Sequence, residues 1–138
     1  METIKIKVET IIKAPVETVW RCWTQPEHII HWNHASDEWH TPKAENDLRE
    51  GGRFNYRMEA KDGSMGFDFN GTYLAVIQNK RLEYELNDQR KVQVVFTESE
   101  DGIKVEEEFT AENTNSAEMQ KNGWQAILDN FKKYVQGI

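Results

Sequence analysis

Residues 124–135 read Trp-Gln-Ala-Ile-Leu-Asp-Asn-Phe-Lys-Lys-Tyr-Val, and this stretch decides the fold. Apolar side chains recur there every three or four residues, the spacing of one face of an amphipathic helix. That face consists of Trp124, Ile127, Leu128, Phe131 and Val135. Asn115 or Ser116 is a suitable N-cap, so a helix is predicted over about residues 116–136. At ~1.5 Å per residue this helix is ~30 Å long, which is enough to cross a sheet.

The sequence before this helix contains short runs in which apolar and polar residues alternate, as in strands with one buried face. The first run extends from Glu2 to Lys13, and a less regular strand is predicted from Trp39 to Asn46. Asp62-Gly63 and Asp101-Gly102 are turn signals between later runs. Successive strands are therefore expected to be antiparallel neighbours in a meander.

Two short helices are predicted between the first strand and the rest of the sheet. Val16 to Trp23 has helical spacing behind Pro15, and Pro26 to Trp32 follows Thr24, a candidate N-cap. The predicted order is β-α-α-β(about 6)-α, a single α+β domain over residues 1–138. A chain of this length buries enough surface to fold without a disulfide or a metal.

Composition and charge exclude several classes of function. The net charge is −7 and no dense cluster of Lys and Arg is present, which argues against binding to nucleic acid. Cys22 is the single cysteine, and no stretch resembles a signal peptide or a membrane span. We therefore expect a cytoplasmic protein, either a monomer or a homodimer.

Several short motifs carry a resemblance to a known family. They are Ile12-Lys13-Ala14-Pro15, Val19-Trp20, Trp23-Thr24-Gln25-Pro26-Glu27 with Trp32, Asp47-Leu48-Arg49-Glu50-Gly51-Gly52-Arg53-Phe54, and Gly123-Trp124-Gln125. In this order and spacing, over about residues 4–135, the chain resembles the START-like, or SRPBCC, superfamily. Within it, the chain is most similar to bacterial homologues of the C-terminal domain that activates the ATPase of the large heat-shock chaperone.

The resemblance implies a helix-grip fold, in which a curved antiparallel sheet wraps around the long C-terminal helix and leaves a cavity between them. Relatives with this fold bind lipids, hormones and polyketides. The commoner family pattern after the second helix is Trp-Trp-Gly-Pro. Here the segment reads His31-Trp32-Asn33-His34-Ala35-Ser36, so the entrance to the cavity is expected to differ.

A set of mostly inward-facing residues is predicted to line that cavity. It comprises Trp39, Phe54, Tyr56, Met58, Phe67, Phe69, Tyr84, Phe96, Glu107, Trp124 and Leu128. For each of them an ordinary packed core is the alternative, because most inward aromatic residues are simply core. Gly71 and Gly123 are predicted to leave space next to these side chains.

Glu107 is the unusual member of the set, because it shares the strand phase of Ile103, Val105 and Phe109. Strict alternation points its carboxyl group inward, where it would anchor a polar ligand group or act as a general acid or base. A β-bulge that leaves Glu107 in solvent is the alternative, and the pattern does not decide between the two.

His28, His31, His34 and His40 lie within a short interval, and the first two have a spacing that can hold a metal. No cysteine or second close pair completes such a site, so no metal and no cofactor are predicted. His34 and His40 are instead candidates for polar groups at the rim of the cavity. Cys22 is interpreted as a small packed residue.

Three functions follow from these observations. The first is a non-enzymatic module that binds a small apolar ligand, with Glu107, Tyr56 and His34 as polar handles. The second is a cyclase- or dehydratase-like enzyme acting on a polyketide-like or aromatic substrate, with Glu107 or His34 moving protons. The third is a domain that activates a chaperone ATPase. Eukaryotic activators carry an additional N-terminal domain, for which 138 residues leave no room.

Overall fold

The computed structural model describes residues 4–138, which form seven strands and three helices. The strands are β1 Lys5–Ile12, β2 Trp39–Asn46, β3 Arg53–Ala60, β4 Gly66–Ile77, β5 Arg81–Leu86, β6 Lys91–Ser99 and β7 Gly102–Thr110. The helices are α1 Val16–Thr24, α2 Pro26–Trp32 and α3 Ala117–Gly137. The predicted order is confirmed. Glu2 and Thr3, at the start of the predicted first strand, lie outside the described residues.

The strands form one curled antiparallel sheet in the order β1-β7-β6-β5-β4-β3-β2. Strands β2 to β7 pair with their neighbours in sequence, which confirms the meander, and β1 pairs with β7. Together with α3 against the sheet, this is the expected α+β helix-grip fold. No helix among residues 4–138 is both long and apolar enough to cross a bilayer.

The apolar face of α3 is buried against the sheet and the two short helices. Leu128, Phe131 and Val135 are almost fully buried, and the Phe131 ring lies edge-on to Trp23 and Trp32 with centroid distances of 4.9 and 4.8 Å. The N-cap of α3 is Ser116, whose hydroxyl group accepts a hydrogen bond of 3.1 Å from the Met119 amide. This settles the choice that the sequence left between Asn115 and Ser116.

The junction between α1 and α2 differs from the prediction in its cap. Thr24 is the last residue of α1, and its hydroxyl group donates a hydrogen bond of 2.8 Å to the Trp20 carbonyl oxygen. Gln25 is the N-cap of α2, without a side-chain hydrogen bond. The prediction of Thr24 as the cap was wrong because the residue before a proline is forced into an extended conformation, and that residue is Gln25.

Candidate functional site

A small chamber of about 50 Å³ lies between the concave face of the sheet and α3. Strands β3, β4, β5 and β7 supply one wall, and α1, α2 and α3 supply the other. The lining residues are Trp23, Trp32, Asn33, Phe54, Tyr56, Phe69, Tyr73, Tyr84, Glu107, Trp124 and Ile127. Because one buried water needs ~10–15 Å³, this chamber has room for a few atoms of a ligand but not for a whole drug-sized molecule.

Glu107 lies on the chamber wall and is only 6% exposed. Its strand neighbours are Val8 on β1 and Val94 on β6, and both registers run through this position without a bulge. The orientation therefore follows from regular alternation, which removes the bulge alternative. Burial alone raises the pKa of Glu107 to about 8, with no cation beside it, so the carboxyl group is mostly protonated at neutral pH.

Three tyrosines from neighbouring strands face the same chamber. Burial raises the pKa of Tyr56 and the pKa of Tyr84 well above the ordinary value for tyrosine. The negative charge of Glu107 also raises the pKa of Tyr84, to a smaller extent. The Tyr73 hydroxyl group donates a hydrogen bond of 2.6 Å to Asn46 Oδ1. Burial raises the pKa of Tyr73 to about 12, so all three hydroxyl groups remain neutral donors under physiological conditions.

Trp124 closes the chamber on the side of α3. Its ring stacks on Phe109 with a centroid distance of 3.8 Å and an angle of 11° between the planes. Phe69 from β4 meets the same indole edge-on at 6.1 Å. Trp124 is half-buried because its other edge faces a second space.

That second space is an outer groove of about 310 Å³ between the start of α3 and the ends of β3 and β4. Its lining residues are Asn33, Met58, Phe67, Phe69, Arg90, Glu112, Asn115, Met119, Gln120, Gly123, Trp124 and Ile127. At one end of the groove, Gln120 holds the segment that precedes α3. Its side chain accepts a hydrogen bond from the Glu112 amide and donates one to the Asn115 carbonyl oxygen. Arg90 at the groove is held by an ion pair with Asp88 at 2.7 Å.

Four residues line both the chamber and the groove, namely Asn33, Phe69, Trp124 and Ile127. The two spaces are therefore separated by side chains and not by backbone. Asn33 is fixed, because its Nδ2 atom donates to the Met58 sulfur at 3.2 Å and its carbonyl oxygen accepts from the Thr41 hydroxyl group at 2.7 Å. Phe69, Trp124 and Ile127 are partly buried and form the rest of the boundary between the two spaces.

The structure brings most of the predicted lining residues together. The chamber contains Phe54, Tyr56, Phe69, Tyr84, Glu107 and Trp124. Met58 and Phe67 line the groove instead, and Phe67 is 49% exposed because β4 extends past the end of the core there.

Three predicted lining residues face neither space. Phe96 fills the core between Trp20 and Trp23, at centroid distances of 5.5 and 5.9 Å. Leu128 is on the fully buried side of α3, and Trp39 packs edge-on against Phe67 at 5.9 Å. Phe96 and Leu128 are packed in the core, so for them facing inward does not mean facing a void, whereas Trp39 is half-buried and lies outside the core.

The two glycines predicted to leave space behave differently. A Cβ atom at Gly71 would lie 2.5 Å from the Glu85 carbonyl oxygen and 3.1 Å from the Phe54 ring, so Gly71 permits a close backbone approach and leaves no void. The prediction for Gly71 was therefore wrong. Gly123 has no atom within 4 Å of such a Cβ position and lines the groove.

The histidines do not contribute to the chamber. Among residues 4–138, no three His, Cys, Asp or Glu side chains are grouped so that they could hold a metal ion. His28 Nδ1 hydrogen-bonds to the Tyr134 hydroxyl group at 2.6 Å, and His31 stacks on the same ring. Burial lowers the pKa of His34, whose Nδ1 atom is buried without a hydrogen-bond partner, and neither His34 nor His40 lines the chamber or the groove.

Sequence reasoning missed several lining residues. Tyr73 shares the strand phase of Phe69 and Gly71, and that signal was sufficient to find it. Trp23, Trp32 and Asn33 reach the chamber only because the α1-α2 elbow folds over the open side of the sheet, which no local pattern shows.

Comparisons with known proteins agree with this architecture. Residues 13–136 match the family described as Activator of Hsp90 ATPase homolog 1-like protein. No curated protein sequence matches at a significant level. The solution structure of an AHSA1-like protein from Aeromonas hydrophila is 46% identical, with a TM-score of 0.92, over 97% of this chain and 93% of that chain.

Two further solved structures are similar. Chr148 from Cytophaga hutchinsonii is 50% identical, with a TM-score of 0.84, over 96% of this chain and 92% of that chain. Protein NE0264 from Nitrosomonas europaea shares the fold at 20% identity, with a TM-score of 0.82, over 97% of this chain and 95% of that chain. With the family match over nearly the whole chain, the protein belongs to the Activator of Hsp90 ATPase homolog 1-like family of the SRPBCC, or START-like, superfamily.

Proposed function

We propose that this protein binds a small, largely apolar ligand between the sheet and α3. The observation that carries the proposal is the aromatic chamber with one unpaired carboxyl group, that of Glu107, on its wall. A folded protein of this size gains nothing from a buried carboxyl group without a partner, because burial of an unpaired polar group costs free energy. Such a group at a void is typical of a binding site. The free thiol of Cys22 supports a cytoplasmic setting for this role.

The dimensions of the two spaces support a ligand that occupies both. The groove, at about 310 Å³, reaches the lower end of the usual range for small-molecule sites, whereas the chamber accommodates only a terminal group. The ligand lies with its apolar body in the groove, against Phe67, Met119 and Gly123. Its end passes Trp124 into the chamber.

A neutral fluorescent dye, N-phenyl-1-naphthylamine, tests the proposal. We expect saturable binding of about one dye per chain with a Kd on the order of micromolar. Trp124→Ala removes the wall shared by the two spaces and should change the Kd. Leu74→Ala, at a 47% exposed position away from both spaces, should not. Absence of saturable binding to the folded protein contradicts the proposal.

A second candidate function is enzymatic, and the raised pKa of Glu107 favours it, because a general acid or base works best with a pKa near the operating pH. In a cyclase- or dehydratase-like reaction, the ionised carboxylate removes a proton next to a carbonyl group, and the carboxyl group then returns that proton to the hydroxyl group on the next carbon, which leaves as water while the C=C bond forms. His34 does not reach the chamber, so Glu107 is the candidate. Dehydration of 4-hydroxy-4-phenyl-2-butanone, measured as enone absorbance, should be accelerated by the protein and not by Glu107→Leu.

The family description supports a third candidate, activation of the Hsp90 ATPase. The exposed apolar side chains Met65, Phe67 and Met119 are suited to a contact with another protein. The ATPase rate of purified Hsp90 with and without this protein tests the candidate. An unchanged rate, with no complex in gel filtration, contradicts it.

A further inference from the structure

We propose that the chamber is a subsite for the carbonyl oxygen of an uncharged ligand, with the Glu107 carboxyl group as the hydrogen-bond donor. This inference rests on the proposed function and specifies the chemical class of the ligand as a neutral ketone, ester or amide with an apolar body. Its geometric basis is the position of Glu107, which is more than nine-tenths buried and lines the chamber. Regular pairing of β7 with β1 and with β6 fixes this orientation.

The surroundings of Glu107 contain no charged partner. From the sheet, Tyr56, Tyr73 and Tyr84 are the titratable residues that face the chamber with it, and all three are neutral. The α1, α2 and α3 elements contribute Trp23, Trp32, Asn33, Trp124 and Ile127, none of which carries charge. The neighbouring strand residues Val8 and Val94 are apolar as well.

The protonation state of Glu107 then decides which ligand groups fit. With a pKa of about 8 and no hydrogen bond or ion pair to stabilise its anion, the carboxyl group carries a proton at neutral pH. A protonated carboxyl group offers one O–H donor, which a ligand oxygen can accept. Tyr84 lines the same chamber, and its neutral hydroxyl group is a further donor there. A hydrocarbon would leave the Glu107 donor unsatisfied, and a carboxylate would enter without a cation.

The size of the chamber agrees with a single small group. About 50 Å³ admits a carbonyl oxygen and the atoms next to it. The remaining, apolar part of the ligand has to stay in the groove, across the side chains of Phe69, Trp124 and Ile127 that line both spaces.

Three probes of similar shape, which differ only in the group at the end of the chain, test the inference by NMR titration: 5-phenyl-2-pentanone, pentylbenzene and 4-phenylbutyrate. The ketone should bind the wild-type protein about tenfold more tightly than the hydrocarbon at about pH 6, since the hydrocarbon leaves the Glu107 donor unsatisfied. The carboxylate should bind more weakly than the ketone. Above about pH 9, where Glu107 is ionised, the preference for the ketone should disappear.

Two variants assign the preference to one side chain. Glu107→Leu should fold and bind both uncharged probes equally, because the donor is gone. Glu107→Gln keeps an N–H donor and should retain the preference for the ketone at both pH values. Circular dichroism checks that each variant is folded.

The outcomes separate the inference from the function on which it rests. If the wild-type protein binds the ketone and the hydrocarbon equally, or binds the carboxylate best, the carbonyl subsite is refuted while ligand binding stands. If the folded protein binds none of the three probes and no dye, the proposed function fails as well.

Discussion

Trp124 on α3 lies flat on Phe109 of β7, with the ring centroids 3.8 Å apart and the planes 11° from parallel. Phe109 is 1% exposed and two residues from Glu107, so this stack connects the helix to the strand that carries the chamber carboxyl group. The position of Trp124, and with it the boundary between chamber and groove, is therefore set mainly by a residue outside both spaces.

This stack should be measurable as a coupling between the two rings. In a double-mutant cycle of Phe109→Leu and Trp124→Leu, we expect a coupling energy of ~0.5–1.5 kcal/mol in the free energy of unfolding. Urea denaturation provides the values. A control cycle of Trp124→Leu with Phe96→Leu, whose ring packs on Trp20 and Trp23, should give additive effects. Equal couplings in the two cycles would contradict a specific stack.

Glu107 should make the protein less stable as the pH rises. Between the ordinary pKa of 4.5 and the folded pKa of about 8, the folded chain retains a proton that the unfolded chain releases. The contribution of Glu107 to the free energy of unfolding therefore falls over this range, by at most ~1.4 kcal/mol per pH unit, and is level above about pH 8.

Urea denaturation between about pH 5 and 9 checks this dependence. Relative to the wild type, Glu107→Gln should gain stability progressively with pH, because it has no proton to lose. Glu108→Gln is the matched control, since Glu108 is the next residue on the strand and is exposed. It should follow the wild-type curve. Parallel curves for wild type and Glu107→Gln would show that Glu107 is ionised in the folded state.

Phe131 should be one of the most sensitive positions in α3. Its side chain is fully buried among Trp23, Trp32 and the sheet, so Phe131→Ala is expected to cost ~3–5 kcal/mol. Thermal and urea unfolding give the value. Met119→Ala, at a 62% exposed position of the same helix, should change stability by less than ~0.5 kcal/mol. A loss below ~1 kcal/mol for Phe131→Ala is incompatible with this packing.

Two glycine substitutions should have opposite effects on stability. Gly71→Ala places a methyl group against the Glu85 backbone, which cannot move without disturbing the β4-β5 pairing, and should cost ~1–3 kcal/mol. Gly123→Ala meets open space in a helix and should gain ~0.5–1 kcal/mol. Urea denaturation of both variants decides the question, and a shift in the same direction for both would be inconsistent with these environments.

Much of the fold could be predicted because local patterns report which face of an element is buried. The i, i+3, i+4 stripe of α3 and the alternation of β7 are visible in single segments, and both occur as predicted. Glu107 was recognisable for the same reason, since it interrupts an otherwise apolar phase.

The rest of the site depends on contacts that no single segment encodes. Asn33 lines the chamber because its backbone and side chain bond to Thr41 and Met58, eight and 25 residues away. Gly71 was misread because a glycine that admits a neighbouring backbone and one that leaves a void look identical in sequence. Phe96 and Leu128 face inward as expected, but whether an inward residue meets a void or another side chain is a property of the assembled core.

The pairing of β1 with β7 has a consequence for synthesis on the ribosome. The strand beside Lys5–Ile12, which is Gly102–Thr110, is synthesised roughly 90 residues later, a delay on the order of ten seconds at cellular translation rates. During that interval Ile6, Val8 and Ile12 lack their partner strand, and a message truncated before β7 leaves them permanently without it. The nascent chain therefore completes its sheet only after β7 has been synthesised, and products truncated before β7 present an open strand edge that promotes aggregation.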